Sequence, residues 1–236
     1  MLDAAAAADL PDPTTSAPAP PSRRADREEA YNAATHAVGL VLALIGAGVL
    51  MATVLRAGSR AQVAACAVYA ATMVAAYAAS TLSHVFTAPR ARNVFRTADQ
   101  ALIFLFIAGT WAPIAVTWLT GSRWWWAFHL AHAAVALAGF VSKAVFAHRV
   151  TLGTVSAALY LILGWSPLLV ARPVMAACPP ELCLWLLAGG VCYTAGLLFF
   201  WQDARVPYFH ATWHVLVVAG SACHFAGILT HCTTGT

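Results

Sequence analysis

Residues 209–230, FHATWHVLVVAGSACHFAGILT, decide how the chain is read. The stretch is long and apolar enough for a membrane-spanning helix, yet it carries His210 and His214 near its start. Side chains four residues apart share one face of a helix, so both imidazoles can face one metal ion or one proton. Histidine is costly inside a membrane and, where it occurs, turns toward the bundle interior. The pair therefore asks what it binds and which other residues reach its depth.

Composition sets the class. The chain has 236 residues, 61% hydrophobic and 9% charged, far from a soluble globular average. Most carboxylates precede Tyr31; beyond it stand only Asp99, Glu181 and Asp203. Seven apolar segments follow one another at about 36–55, 62–86, 100–120, 124–146, 152–171, 182–201 and 210–231. Each is about 20 residues long, enough to cross the hydrocarbon core. None shows the ten-residue alternation of a β-barrel strand. The expected fold is an all-α membrane protein, a seven-transmembrane helix bundle in a cell membrane. The breaks are too short for a second domain, and no glycine-rich phosphate loop or basic nucleic-acid patch appears.

Residues 1–30 read differently, rich in Ala, Pro, Ser and Thr and without the apolar core of a secretory signal. They are expected to form a disordered tail ahead of a membrane domain at 31–236. Orientation follows from the basic residues. With the N-terminus cytoplasmic, Arg23, Arg24, Arg27, Arg90, Arg92, Arg96, Lys143, Arg149 and Arg205 fall inside. Arg56, Arg60, Arg123 and Arg172 fall outside. The excess inside favours a cytoplasmic N-terminus and an external C-terminus. Trp124, Trp125 and Trp126 then form an interfacial belt at the outer leaflet.

That topology gives the histidine pair its partners. The second segment ends on the cytoplasmic side with His84, in ASTLSH; the third is expected to start there just after Asp99, and the seventh starts with His210 and His214. Three neutral imidazoles and an open position are the ligand set of a catalytic zinc site. Asp99 suits a hydrogen bond to the bound water or the orienting of a ligand histidine; it equally suits the N-cap of the third helix. Ser80 lies about 6 Å deeper than His84 on the same face. It could donate a hydrogen bond to a developing oxyanion or simply pack between helices.

The other histidines sit at other depths, apart from His36 in the first segment, whose level any residue at a cytoplasmic helix start would share. His129, His132 and His231 fall near the outer ends of their segments. His224 is about 15 Å beyond His214 along the helix axis and is expected to be an interior polar contact or to line a cavity below the site. Cys178 and Cys183 flank CPPELC in an outer loop. A disulfide there needs an oxidising compartment, and two free thiols fit as well.

The motifs in order, EEAYNAATHAVG, STLSH, Asp99 before ALIFLFIAGTWAP, and HATWHVLVVAGSACHF, resemble the hemolysin III family. That family groups with the progestin and adipoQ receptors, adiponectin receptors included. The resemblance implies a zinc ion held by His84, His210 and His214, with Asp99 beside the zinc-bound water and Ser80 behind the site. It also implies a motif glutamate, Glu28 or Glu29, with Asn32. A membrane lipid is the implied substrate or ligand. Three functions follow as expectations: zinc-dependent hydrolysis of a ceramide-like lipid amide, pore-forming or hemolytic action, and receptor-like lipid sensing around a structural zinc. No segment shows the charged stripe of a water-filled lumen, which weighs against the pore. The sequence leaves the oligomeric state open.

Overall fold

The protein is described from a computed structural model that covers residues 23–121, 123–146 and 153–233. The tail residues 1–22 lie outside the described residues. The helices are α1 (Arg23–Ala57), α2 (Arg60–Val85), α3 (Pro89–Trp118), α4 (Arg123–Phe146), α5 (Gly153–Trp165), α6 (Ala171–Ala177), α7 (Pro180–Phe200) and α8 (Phe209–His231). A 3-10 segment, Ser166–Val170, joins α5 to α6 so that the two form one span. Among the described residues, seven spans are long and apolar enough to cross a membrane.

Local signals set most boundaries. Ser59 caps α2 in a capping box with Gln62, satisfying backbone donors that a helix start leaves free. Pro89 and Pro180 open α3 and α7, where a missing N–H costs nothing. Pro167 marks the 3-10 break in the fifth span, because proline cannot accept the α-helical pattern through it. Beside that break His132 Nδ1 donates to Ser166 Oγ at 3.0 Å.

Two helices begin earlier than the apolar pattern predicts. Residues 23–30, assigned to the tail from composition, form the first turns of α1. They are tied down by pairs that composition does not reveal: Arg24 with Glu28, and Glu29 with His84 and Arg92. The third helix starts at Pro89, not after Asp99. No breaker interrupts residues 90–99, and Phe95 stacks on Phe86 with centroids 5.1 Å apart. Asp99 is therefore inside α3, and the N-cap reading is corrected: the cap residue is Ala88.

Helices α2 and α3 are the most enclosed, and α4 the least. Leu50, Val54, Tyr69, Met73, Ile114, Leu182 and Ile228 fill the core between α1, α2, α3, α7 and α8. The opposite faces present Val38, Val41, Leu42 and Ile45 on α1, and Leu130, Val135 and Leu137 on α4. Such apolar outer faces fit a hydrocarbon surround. Helices α7 and α8 approach closely where Gly189 faces His224 and the Gly220 carbonyl. All six cysteines are free thiols. Burial, then the neighbouring Cys183, pushes the Cys178 thiol up to about 12, so it stays protonated at neutral pH.

Candidate metal centre

At one end of the bundle, the end of α2 meets the starts of α1, α3 and α8. The ligand atoms of His84, His210 and His214 lie within 4.8 Å of one another, a spacing that could hold a metal ion. The rings are 4.5 Å (His210–His214), 5.1 Å (His84–His214) and 5.3 Å (His84–His210) apart between centroids. His210 and His214 share a face of α8 through their four-residue spacing. His84 arrives from the last turn of α2.

Each imidazole is held from behind. His84 Nδ1 donates to Glu29 Oε1 at 3.2 Å. His210 Nδ1 donates to Asp203 Oδ2 at 2.7 Å. His214 Nδ1 donates to the Asn32 carbonyl at 3.3 Å and lies 3.2 Å from Thr35 Oγ1. Carboxylates and carbonyls only accept, so each neutral ring carries its proton on Nδ1 and leaves the Nε2 lone pair free. This is the arrangement that orients metal-ligating histidines and raises their basicity.

The donor set fits a metal on one further observation. His214 is completely buried, and its Nε2 has no hydrogen-bond partner among the described residues. An unpaired polar atom in an apolar interior is costly; a cation shared with two neighbouring imidazoles removes that cost.

Asp99 and Ser80 flank the cluster. The Asp99 carboxyl neighbours the Ser80 hydroxyl and the His84 imidazole. Ser80 is buried, and its geometry with Asp99 stops short of a formed hydrogen bond. His36 is a neighbour that depth alone did not single out. Its ring lies tilted against His214 with centroids 3.6 Å apart and faces Tyr77 at 5.4 Å, with both nitrogens buried and unpartnered among the described residues.

Sequence reasoning also passed over Asp203. Its place in the turn before α8 depends on the left-handed backbone of Tyr208 (φ 63°), which swings the chain into the helix. Of the two candidate glutamates, Glu29 reaches the site and also pairs with Arg92, whereas Glu28 pairs with Arg24 on the surface. Arg92, counted from sequence as a topology signal, is thus part of the frame behind His84. His224 stays apart, its Nε2 3.0 Å from the Leu186 carbonyl, as its depth required.

Fold and site together define a seven-span membrane protein with a buried three-histidine cluster at one end. The chain belongs to the haemolysin-III related family, whose model matches residues 25–225. It is 32% identical to Hemolysin-3 of Bacillus cereus over 204 residues, covering 86% of this chain and 91% of that relative. Similarity extends to the Hemolysin-3 homolog of Bacillus subtilis, 30% identical over 207 residues, or 87% of this chain and 95% of that one. It also reaches the human Monocyte to macrophage differentiation factor, 28% identical over 213 residues, 85% of this chain and 83% of the relative.

Proposed function

We propose that the protein is an integral-membrane hydrolase of a lipid amide, ceramide-like in kind, with zinc as the ion held by His84, His210 and His214. The observation that carries this reading is the set of three imidazoles whose ligand atoms lie within 4.8 Å of one another, every Nδ1 being anchored from behind so that Nε2 is left free. Three neutral nitrogen ligands leave a position open, which is the pattern of catalytic zinc; closed structural sites use four protein ligands. A zinc ion held there supplies Lewis acidity, lowering the pKa of water and polarising a carbonyl.

The chain's own residues complete the reaction. Asp99 takes the proton from water as it attacks the amide carbon, then returns it to the leaving amine. The Ser80 hydroxyl donates to the carbonyl oxygen as negative charge grows there. The excess of basic residues at this end supports a site on the cytoplasmic side, where the labile bond of a lipid just below its headgroup arrives. Membrane lysis, named in the bacterial relatives, is the lesser reading: Leu50, Val54, Tyr69, Ile114, Leu182 and Ile228 pack the bundle centre with bulk.

Metal content of detergent-purified protein tests the proposal. About one zinc per chain, lost in both His84→Ala and His210→Ala, is expected, together with zinc-dependent release of fatty acid from a ceramide. A wild-type protein without metal after purification in metal-replete buffer sinks the hydrolase, and ion flux into liposomes that persists in His84→Ala would favour the pore.

A further inference from the structure

Lys143 lies in the last turn of α4 and turns inward, only 7% exposed, while its neighbours Ser142 and Ala144 face outward. Its Nζ donates to Ser156 Oγ on α5 at 3.3 Å. Among the described residues no carboxylate comes within ion-pair distance of it, and the connection 147–152, AHRVTL, contains none. An ammonium has three donors, and enclosing it behind one hydroxyl costs more than that single bond returns. An anion is the partner that balances it.

The position of Lys143 says which anion. Four residues along α5 from Ser156, about 6 Å deeper, Tyr160 OH donates to the Gln100 carbonyl at 2.6 Å. Tyr160 also neighbours both Ser156 and Asp99. Lys143, Ser156, Tyr160 and Asp99 therefore form a polar track from the end of the bundle to the edge of the metal centre. Arg96, exposed one turn before Gln100, acts on Asp99 from the rim. A lipid whose headgroup meets Lys143 holds a bond one helical turn further in at the level of Asp99.

We infer that Lys143 and Ser156 form a subsite for the anionic headgroup, carboxylate or phosphate, of the lipid whose amide reaches Asp99. The inference rests on the hydrolase reading for the fate of the amide, and on Lys143 alone for the charge. Within the ceramide-like lipid amides it adds a preference for those that carry an acidic headgroup, neutral ones remaining the weaker substrates.

Binding of matched probes to metal-loaded protein in a non-ionic maltoside is the test. N-lauroylglycine and N-lauroylethanolamine share chain and amide and differ in charge. Calorimetric titration is expected to show the glycine conjugate binding about tenfold tighter or better, the effect of one charged hydrogen bond. Lys143→Met brings the two to parity with metal content unchanged, and Lys143→Arg keeps the preference. Parity in wild type overturns the inference whatever the variants do, as does a preference that survives Lys143→Met. Stabilisation by inorganic phosphate alone, equal to that by the acidic lipid, makes this a small-anion site and overturns the headgroup assignment. Turnover is scored separately. A Lys143-dependent preference without hydrolysis keeps the subsite and removes the hydrolase; hydrolysis of both amides at parity does the reverse.

Discussion

Asp203 Oδ2 and His210 Nδ1 stand 2.7 Å apart across the turn that ends α7 and opens α8. The contact fixes the tautomer of His210 and leaves its Nε2 free to ligate. Partners of this kind are worth about 10–100-fold in metal affinity. Asp203→Ala is expected to weaken zinc binding by about that factor, measured by competition with a chelator of known affinity. Asp203→Asn, which keeps an acceptor oxygen without the charge, should fall between. Affinity unchanged in the alanine variant would remove Asp203 from the site.

Glu28 and Glu29 are adjacent in sequence and opposite in consequence. Glu28 pairs with exposed Arg24, an arrangement worth about 0–1 kcal/mol. Glu29 holds both His84 and Arg92. Glu28→Ala should leave zinc content and thermal stability as they are. Glu29→Ala should release His84 from its orientation and lower zinc affinity by about tenfold or more. Equal behaviour of the two variants contradicts the geometry.

How much of this was legible in sequence depends on where each signal lives. The seven spans and the meeting of His84, His210 and His214 follow from hydropathy and alternation of direction, which are local properties summed along the chain. Asp99 came from the same depth argument, although its helix begins eleven residues earlier than the apolar run suggested. That start is set by Pro89 and by the stacking of Phe95 on Phe86, a contact hydropathy does not register. Asp203 was invisible because a turn residue gains its meaning from the left-handed Tyr208 and the direction of the chain beyond it. His36 was visible in depth but not in rotation; only the packing of α1 against α8 shows that it faces His214.

Asp99 faces Ser80 and the His84 side of the cluster but is outside the three-histidine ligand set. If the proposed zinc hydrolase is right, Asp99→Asn should therefore keep about one zinc per chain while amide hydrolysis drops by about 10²–10⁴-fold, the usual contribution of a positioned acid–base group. Parallel assays of metal content and turnover check this. Turnover at the wild-type rate would exclude Asp99 from proton transfer; loss of metal would make it a ligand instead.

The seam between α7 and α8 makes a prediction independent of the metal. A Cβ on Gly189 would lie 2.2 Å from His224 Cδ2, 2.4 Å from its Nε2 and 2.9 Å from the Gly220 carbonyl oxygen. The His224 ring is held in place by its 3.0 Å contact with the Leu186 carbonyl, and the Gly220 carbonyl is backbone, so neither neighbour yields easily. Overpacking of this kind costs about 1–3 kcal/mol. Gly189→Ala should lower the thermal midpoint in detergent while leaving metal binding at the distant histidine cluster unchanged. Gly48 in α1 provides the contrast, since a Cβ there meets nothing within 4 Å. Gly48→Ala relieves a glycine within a helix, worth up to about 1 kcal/mol, and should leave the midpoint level or raise it. A Gly189→Ala protein as stable as wild type would mean that α7 and α8 stand further apart than described.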